Sequence, residues 1–433
     1  ANPHANGGRV LKPLPLPAWR PHALAVGQPA REQHESTRQL GLWLRDVFAA
    51  TAATRIFRLF CPDELASNRL DAVLEVTGRR WELAILPDDD HLAANGRVLE
   101  VLSEHLCEGW LEGYLLTGRH GLFVTYEAFA MVAASMIVQH TKWLEAAAGL
   151  PWRAPVASLN LLLTSTCWRN DHNGFSHQGP GLIDVMLSKR GAVTRIYFPP
   201  DANSLLAVAQ VCFAGRNTVN LIVIDKQPQL QWLDADAAEA HCRAGAGTWA
   251  WAGTPGAERG ETDVVLACCG DIPTLETVAA AWWLRRNAPE LRLRLVNVCD
   301  LMCLFLPEVH PHGLTPERFA ELFTVSKHVI FAFHGYQRAV HGVIHGRPHA
   351  ERFHVRGFME QGTTTTQFDM VVLNQMSRYH LAAEALRRAY PEGARQRELI
   401  GACQEAIAGA VAYALAHFED SPEISDWRWS DPA

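Results

Sequence analysis

The feature that narrows the fold most is an alternation. Short β-like runs, ASLNLLLTS (157–165), TRIYF (194–198) and TVNLIVI (218–224), are separated by helix-like stretches such as SLLAVAQVCF (204–213). Strand–helix–strand alternation implies a parallel α/β sheet. It recurs after residue 250. DVVLACCGD (263–271) reads as a strand, Pro273 stands where a helix begins, LETVAAAWWLRR continues it, and RLRLVNVCDL (292–301) is the next strand, which makes one βαβ unit. HVIFAFHGY (328–336) adds a further strand, and two long helices (375–389 and 395–418) close the chain. Earlier, STRQLGLWLRDVFAA opens with Ser36 as a cap and spaces its apolar residues three and four apart. Residues 37–150 are therefore expected to be mostly helical, with the apolar stretch from Gly96 to Ala148 broken by GRHG (118–121). The expected class is α/β, with two domains of mainly parallel sheet flanked by helices.

Length and composition bound this reading. A chain of 433 residues suggests about three domains, and two large ones fit equally well. Hydrophobic residues at 48% and charged residues at 20% suit a soluble globular protein. The net charge of -7, with no basic run longer than two, points away from nucleic acid. Ten cysteines form no CxxC, and Cys268-Cys269 and Cys299-x3-Cys303 lie in apolar segments, so buried free thiols in a reducing compartment are expected. The N-terminus has neither a basic nor an apolar signal region. The apolar stretch Ala406 to Phe418 is too short to span a bilayer and reads as a core helix, so a cytoplasmic protein with no membrane contact is expected. Residues 1–30 are proline-rich and aperiodic, like a linker leaving a preceding domain. The expected division is a linker (1–30), a first domain (31–243), a Gly-rich connection (244–262) and a second domain (263–433).

Several clusters can carry chemistry. WRNDHNGFSHQGPG (168–181) directly follows an apolar strand, at the end where open α/β sheets place ligands. His172 and His177, with Asp171 beside them, can act as general acid and base; a hydrogen-bonded turn remains the alternative, and a metal site lacks a third nearby ligand. In SEHLCEGWLEGYLLTGRHG (103–121), Glu104, Glu108 and Glu112 share one helical face. Such a row is usually solvated, yet this helix is apolar around it, and a buried carboxylate needs a partner such as a heteroaromatic ring nitrogen. PDELASNRL (62–70) groups Ser67, Asn68 and Arg69 in a turn, either an anion cradle or an ordinary helix cap. Lys226 follows the strand TVNLIVI and can bind phosphate as a point charge. Gly362 with Thr363–Thr366 offers a hydroxyl-rich loop or a simple turn. The chain has no Gly-Asp-Gly, no GxGxxG and no GxxxxGK[ST], so no residue is assigned to a metal or to a Mg-diphosphate.

Together, NPHANGG (2–8), PDELASNRL (62–70), LSEHLCEGWLEGYLLTGRHG (102–121), WRNDHNGFSHQGPG (168–181), YFPPDANSLL (197–206), HPHGLTPERFAELFT (310–324) and HVRGFMEQGTTTTQFDMVVLN (354–374) resemble the xylulose 5-phosphate/fructose 6-phosphate phosphoketolases, in the family's order. The resemblance is to the pyrimidine-binding middle domain and the C-terminal domain, a thiamine-diphosphate-dependent, transketolase-like architecture. The family's diphosphate-binding N-terminal domain has no counterpart here.

The resemblance implies roles. Glu104 matches the glutamate that hydrogen-bonds the cofactor's pyrimidine, and Tyr126 and Phe129 match the wall around that ring. His172 and His177 match active-site histidines, with Asn173 beside them. Ser67, Arg69 and Lys226 fit binding of phosphate groups. It also implies cleavage of a ketose phosphate with inorganic phosphate to acetyl phosphate and an aldose phosphate. Mg²⁺ and the diphosphate would be held by a partner chain carrying the missing domain, in an oligomer. The sequence departs from the family at Leu65, Leu106, Thr166, Asn170, Gly179 and Cys303. These changes support the alternative of a non-catalytic assembly or binding subunit.

Overall fold

The computed structural model describes residues 10–62, 64–169, 174–189 and 191–431, which form two compact units. The first comprises Ala1–Gly27, Gln33–Thr166 and Leu182–Cys242; the second comprises Gln28–Glu32, Cys167–Gly181 and Arg243–Ala433.

The first unit is built on an eight-stranded, wholly parallel sheet. Its strands are β1 (Phe57–Cys61), β2 (Arg79–Arg80), β3 (Leu92–Ala93), β4 (Val98–Glu100), β5 (His120–Tyr126), β6 (Leu159–Thr164), β7 (Thr194–Tyr197) and β8 (Val219–Val223), in the order β3-β2-β4-β1-β5-β6-β8-β7. Residues 37–150 are thus not mostly helical, since five of these strands lie there. β2, β3 and β4 are two or three residues long, too short to show a period of two. GRHG breaks the apolar stretch because Gly118 turns at φ +83° and Arg119-His120 then lead into β5.

Four helices matter for the site: α1 (Ser36–Ala50), α2 (Glu104–Leu116), α3 (Ala134–Ala148) and α4 (Ala202–Ala214). In α1, Leu40, Trp43, Leu44, Val47 and Phe48 are buried at helical spacing. Trp43 stacks on Phe213 of α4 at 5.5 Å, and Phe48 meets Phe57 of β1 edge-on at 5.4 Å. Ser36 is not the cap. Glu35 occupies that position, and the Ser36 hydroxyl instead accepts a bond from Gln229. Gly41 lets α1 settle onto the turn after β1, since a Cβ there would stand 2.8 Å from the Arg69 carbonyl oxygen.

The second unit has five strands: β9 (Ala246–Thr248), β10 (Val264–Cys269), β11 (Leu293–Val298), β12 (His328–Tyr336) and β13 (Phe353–Phe358). Their order is β9-β11-β10-β12-β13, parallel except that β9 runs antiparallel to β11. The Gly-rich segment therefore supplies an edge strand as well as a connection. β10, α5 (Asp271–Asn287) and β11 form the expected βαβ unit. Helix α6 (Arg378–Ala389) is tied to α5 by a buried pair, with Arg378 donating to Glu276 at 2.8 and 3.1 Å.

Helix α7 (Ala394–His417) corrects another expectation. Only Gln396, Leu399 and Cys403 of it are buried, so Ala406–Phe418 is not a core helix. Among the described residues α7 alone is long and apolar enough to cross a membrane, with a mean hydropathy of 1.5. None of the ten cysteines forms a disulfide, and Cys242 is the one not fully buried.

Candidate functional site

The strand order of the first unit explains which residues meet. In a parallel sheet the chain leaves every strand on the same edge, so loops that are distant in sequence gather there. β1 leads into the turn carrying Glu64, Ser67, Asn68 and Arg69; β4 precedes Glu104; β5 ends at Tyr126; β6 ends at Thr164; and β8 leads to Asp225 and Lys226. These are the carboxyl ends of five neighbouring strands, β4-β1-β5-β6-β8.

Lys226 is the centre of this group. It is 3% exposed, donates to Ser67 Oγ at 2.7 Å, and sits 4.1 Å from the centre of the Tyr126 ring. Ser67 Oγ and Tyr126 Oη share a second bond of 2.6 Å, and Tyr126 stacks with Phe129 at 6.1 Å. No carboxylate among the described residues lies within ion-pair distance of Lys226. A buried ammonium whose neighbours are a hydroxyl and a ring face is poised for an anion.

Glu104 is the first residue of α2, whose cap Ser103 accepts from Leu106 N–H at 3.3 Å. A carboxylate at that end is favoured by the helix dipole. Next to it, burial pushes the Glu64 carboxyl up to about 8; the negative charge of Glu104 adds to the rise, and Asn68 and Lys226 pull against it. Glu64 Oε2 is buried without a hydrogen-bond partner. Further along α2, Glu108 is buried and Glu112 half-buried, so the row is not a solvated face. Burial raises Glu108 strongly and Glu112 to about 6, and it lowers His140 of α3 to about 4.

The structure brings Ser67, Tyr126, Phe129 and Lys226 together, with Glu104 at the adjoining helix start. Arg69 is engaged elsewhere: its Nε donates to Glu35 at 2.6 Å and its Nη1 to the Ser67 carbonyl at 3.1 Å. His172 and Asn173 lie outside the described residues. His177 belongs to the second unit, where Ser176 Oγ and its Nδ1 are 3.0 Å apart. There the hydroxyl-rich loop anchors the histidine segment, since Thr364 Oγ1 accepts from Phe175 N–H at 3.2 Å and Gln178 donates to the Thr363 carbonyl at 3.2 Å. Of the departures, Leu65 is fully buried and its N–H donates to Glu100 at 2.9 Å. Leu106 is 47% exposed. Thr166 bonds Asp225 through its N–H at 2.8 Å and its hydroxyl at 3.0 Å.

Sequence reasoning missed Glu64, Asp225 and Thr164. The Thr164 hydroxyl donates to Asn68 and pins the turn. Position at a strand end was the available signal for Asp225 and Thr164, as it was for Lys226.

The order and parallel run of this sheet define the class of fold. The fold is that of the transketolases: the chain is similar to transketolase from Pichia stipitis (TM-score 0.62, 14% identity, 86% of this chain and 48% of that one) and to the enzyme from Leishmania mexicana (TM-score 0.62, 14% identity, 87% and 48%). It is also similar to a chain described as a split gene transketolase, inactive beta4 tetramer (TM-score 0.53, 13% identity), covering 84% of this chain and 98% of that one.

The family itself follows from sequence. Residues 38–215 match the D-xylulose 5-phosphate/D-fructose 6-phosphate phosphoketolase model and residues 226–429 match that family's C-terminal domain, so the chain belongs to the phosphoketolase family. A probable phosphoketolase of Rhodopseudomonas palustris is 54% identical over 99% of this chain, and one of Brucella abortus is 53% identical over all of it. In both cases the chain spans 54% of the relative's length.

Proposed function

We propose that this chain is the pyrimidine-binding and C-terminal part of a phosphoketolase. The reaction is cleavage of xylulose 5-phosphate or fructose 6-phosphate with inorganic phosphate, giving acetyl phosphate and an aldose phosphate. The supporting observation is the buried Lys226 held against Ser67 and Tyr126, with no carboxylate of the described residues at ion-pair distance, beside Glu104 at the start of α2. In this reading residues 31–243 are the pyrimidine-binding domain and 263–433 the C-terminal domain.

The residues present fit a pyrimidine ring. Glu104 would hold a hydrogen bond to it, a charge-assisted contact of about 1.5–3 kcal/mol. Tyr126 and Phe129 would wall it. Thiamine diphosphate, when bound, supplies the nucleophilic carbon that attacks the ketose carbonyl. Lys226 and Ser67 would orient a phosphate group, with Arg69 positioned through Glu35. His172 and His177 would move protons during cleavage and loss of water, with Asn173 beside them. Neutral Glu64 would keep negative charge from accumulating next to Glu104. The diphosphate and its Mg²⁺ would be gripped by a partner chain carrying the remaining domain.

A second reading draws on the split-gene transketolase neighbour, described as inactive in its tetramer. Here the chain would be a folded, oligomeric, non-catalytic subunit with an assembly or binding role. One assay separates the readings: acetyl phosphate formation from xylulose 5-phosphate and phosphate with thiamine diphosphate and Mg²⁺, for the chain alone and mixed with a separately expressed phosphoketolase diphosphate-binding domain. Activity only in the mixture, abolished by Glu104→Gln, supports a completed enzyme. No activity in either arm, with folding and association confirmed, sinks the catalytic reading.

A further inference from the structure

A cavity of about 840 Å³ lies in the first unit, away from the site just described, and its size suits a small-molecule ligand. Its origin is a mismatch between helix and sheet. Helix α2 is seated over β5, where Gly121 makes room for it; a Cβ there would stand 2.7 Å from Leu111. The sheet continues past β1 to β4 and β2 and runs beyond the helix flank, leaving a hollow walled by Trp110 and Tyr114. Arg55, Arg58, Arg80 and Arg119 line it. Arg55 and Arg119 precede β1 and β5, at the sheet edge opposite to Lys226.

The charge of this hollow is unbalanced. Arg80 is paired with Glu82 through its Nε at 2.8 Å. Glu100, the other carboxylate of the lining, is taken by Arg79 and the Leu65 N–H. Arg55, Arg58 and Arg119 have no ion pair among the described residues. Arg55 donates to the Asn95 carbonyl and Arg119 to Thr117 Oγ1 at 2.7 Å. Arg58 is stranded most. Its Nε is buried with no hydrogen-bond partner, and its guanidinium lies 4.8 Å from the centre of the Tyr114 ring, which Arg119 also faces at 5.5 Å. Burial, reinforced by the neighbouring charges of Arg55, Arg80 and Arg119, makes the Arg58 proton easier to lose. Unpaired guanidiniums converging on an aromatic-walled hollow are the donor set that binds phosphate oxygens in fork geometry.

We propose that this cavity binds a small organic phosphate, with a phosphate group on Arg58, Arg119 and Arg55 and the carbon skeleton against Trp110 and Tyr114. The site is distinct from the proposed pyrimidine pocket, because the three arginines that would hold phosphate come from the amino ends of β1 and β5, away from Lys226.

The test is isothermal titration calorimetry of the full chain carrying Lys226→Met, which disables the other phosphate grip. The probes are fructose 1,6-bisphosphate, as an organic phosphate, and inorganic pyrophosphate, as the bare anion. One-site binding of the bisphosphate, tighter than that of pyrophosphate and weakened at least about tenfold by Arg119→Gln, is expected. Arg58→Gln should weaken it similarly; if that variant does not fold, Arg119→Gln at the rim decides. Binding unchanged by these substitutions, or no binding in the Lys226→Met chain, would overturn the proposal. Equal affinity for the two probes would reduce the cavity to an inorganic anion site and overturn the organic assignment.

Discussion

Replacing Glu64 by glutamine tests whether the carboxyl beside Glu104 is held neutral. Glu64 is 8% exposed, and burial carries its carboxyl from 4.5 to about 8. The folded unit then binds this proton more tightly than the unfolded chain does. Stability from this group is complete below pH 4.5 and falls as pH rises towards 8. Each pH unit in that window is worth about 1.4 kcal/mol, so at pH 7 the native state has lost roughly 3 kcal/mol. Glutamine keeps the shape and the neutrality but has no proton to lose. Glu64→Gln should therefore match the parent near pH 4.5 and exceed it at pH 7. The gap in melting temperature for this unit should be of order 6–12 °C. Thermal unfolding of both proteins at pH 5, 6, 7 and 8 and fixed ionic strength provides the comparison. Parallel curves would show that Glu64 is ionised in the folded unit and that its burial does not control it.

Further substitutions probe the scaffold. Tyr126→Phe should cost about 1 kcal/mol, the value of the lost Ser67 bond, while keeping the ring against Lys226; Tyr126→Leu should cost more in the same denaturant titration. Gly41→Ala should destabilise the first unit by about 1–3 kcal/mol, because α1 must lift off the Arg69 carbonyl, whereas Gly409→Ala in α7, with open space around it, should be neutral or stabilising by calorimetry. Glu276→Gln leaves the buried Arg378 without its counter-charge and should cost about 3–5 kcal/mol in urea unfolding of the second unit, with the double variant Glu276→Gln/Arg378→Met recovering part of the loss.

What the sequence revealed follows from how much each signal depends on partners. Apolar strands such as LNLLLT and VVLACC are legible because a strand buried on both faces writes its environment into consecutive residues. Lys226 is legible because it follows the strand TVNLIVI, and the Ser67 turn because Ser67, Asn68 and Arg69 stand together, although the strand before it is not. Glu64 is not, because its neutrality depends on a turn pressed under Gly41 and on charges from α2 and β8. The arginine cavity is invisible for a similar reason. Its cations stand apart in sequence and become neighbours only through the sheet register, which sets Arg58 beside Gly121 and so close to Arg119. The outer strands escape because they carry too few residues to show a pattern, and α7 misleads because alanine and glycine read as core whether or not anything covers them.

The strand order also fixes when the lysine pocket can come into being. Its parts sit on strands whose pairings are distant along the chain, Phe57 with His120 and Leu159 with Val219, and Lys226 follows the last of these to be made. No local segment contains a working fraction of it. During synthesis the pocket is absent until β8 has emerged and docked, a long-range closure of the kind that slows folding. Any anion that selects the finished pocket then binds only fully assembled first units. It adds its binding energy to them by mass action, so its occupancy would report on the integrity of the whole sheet.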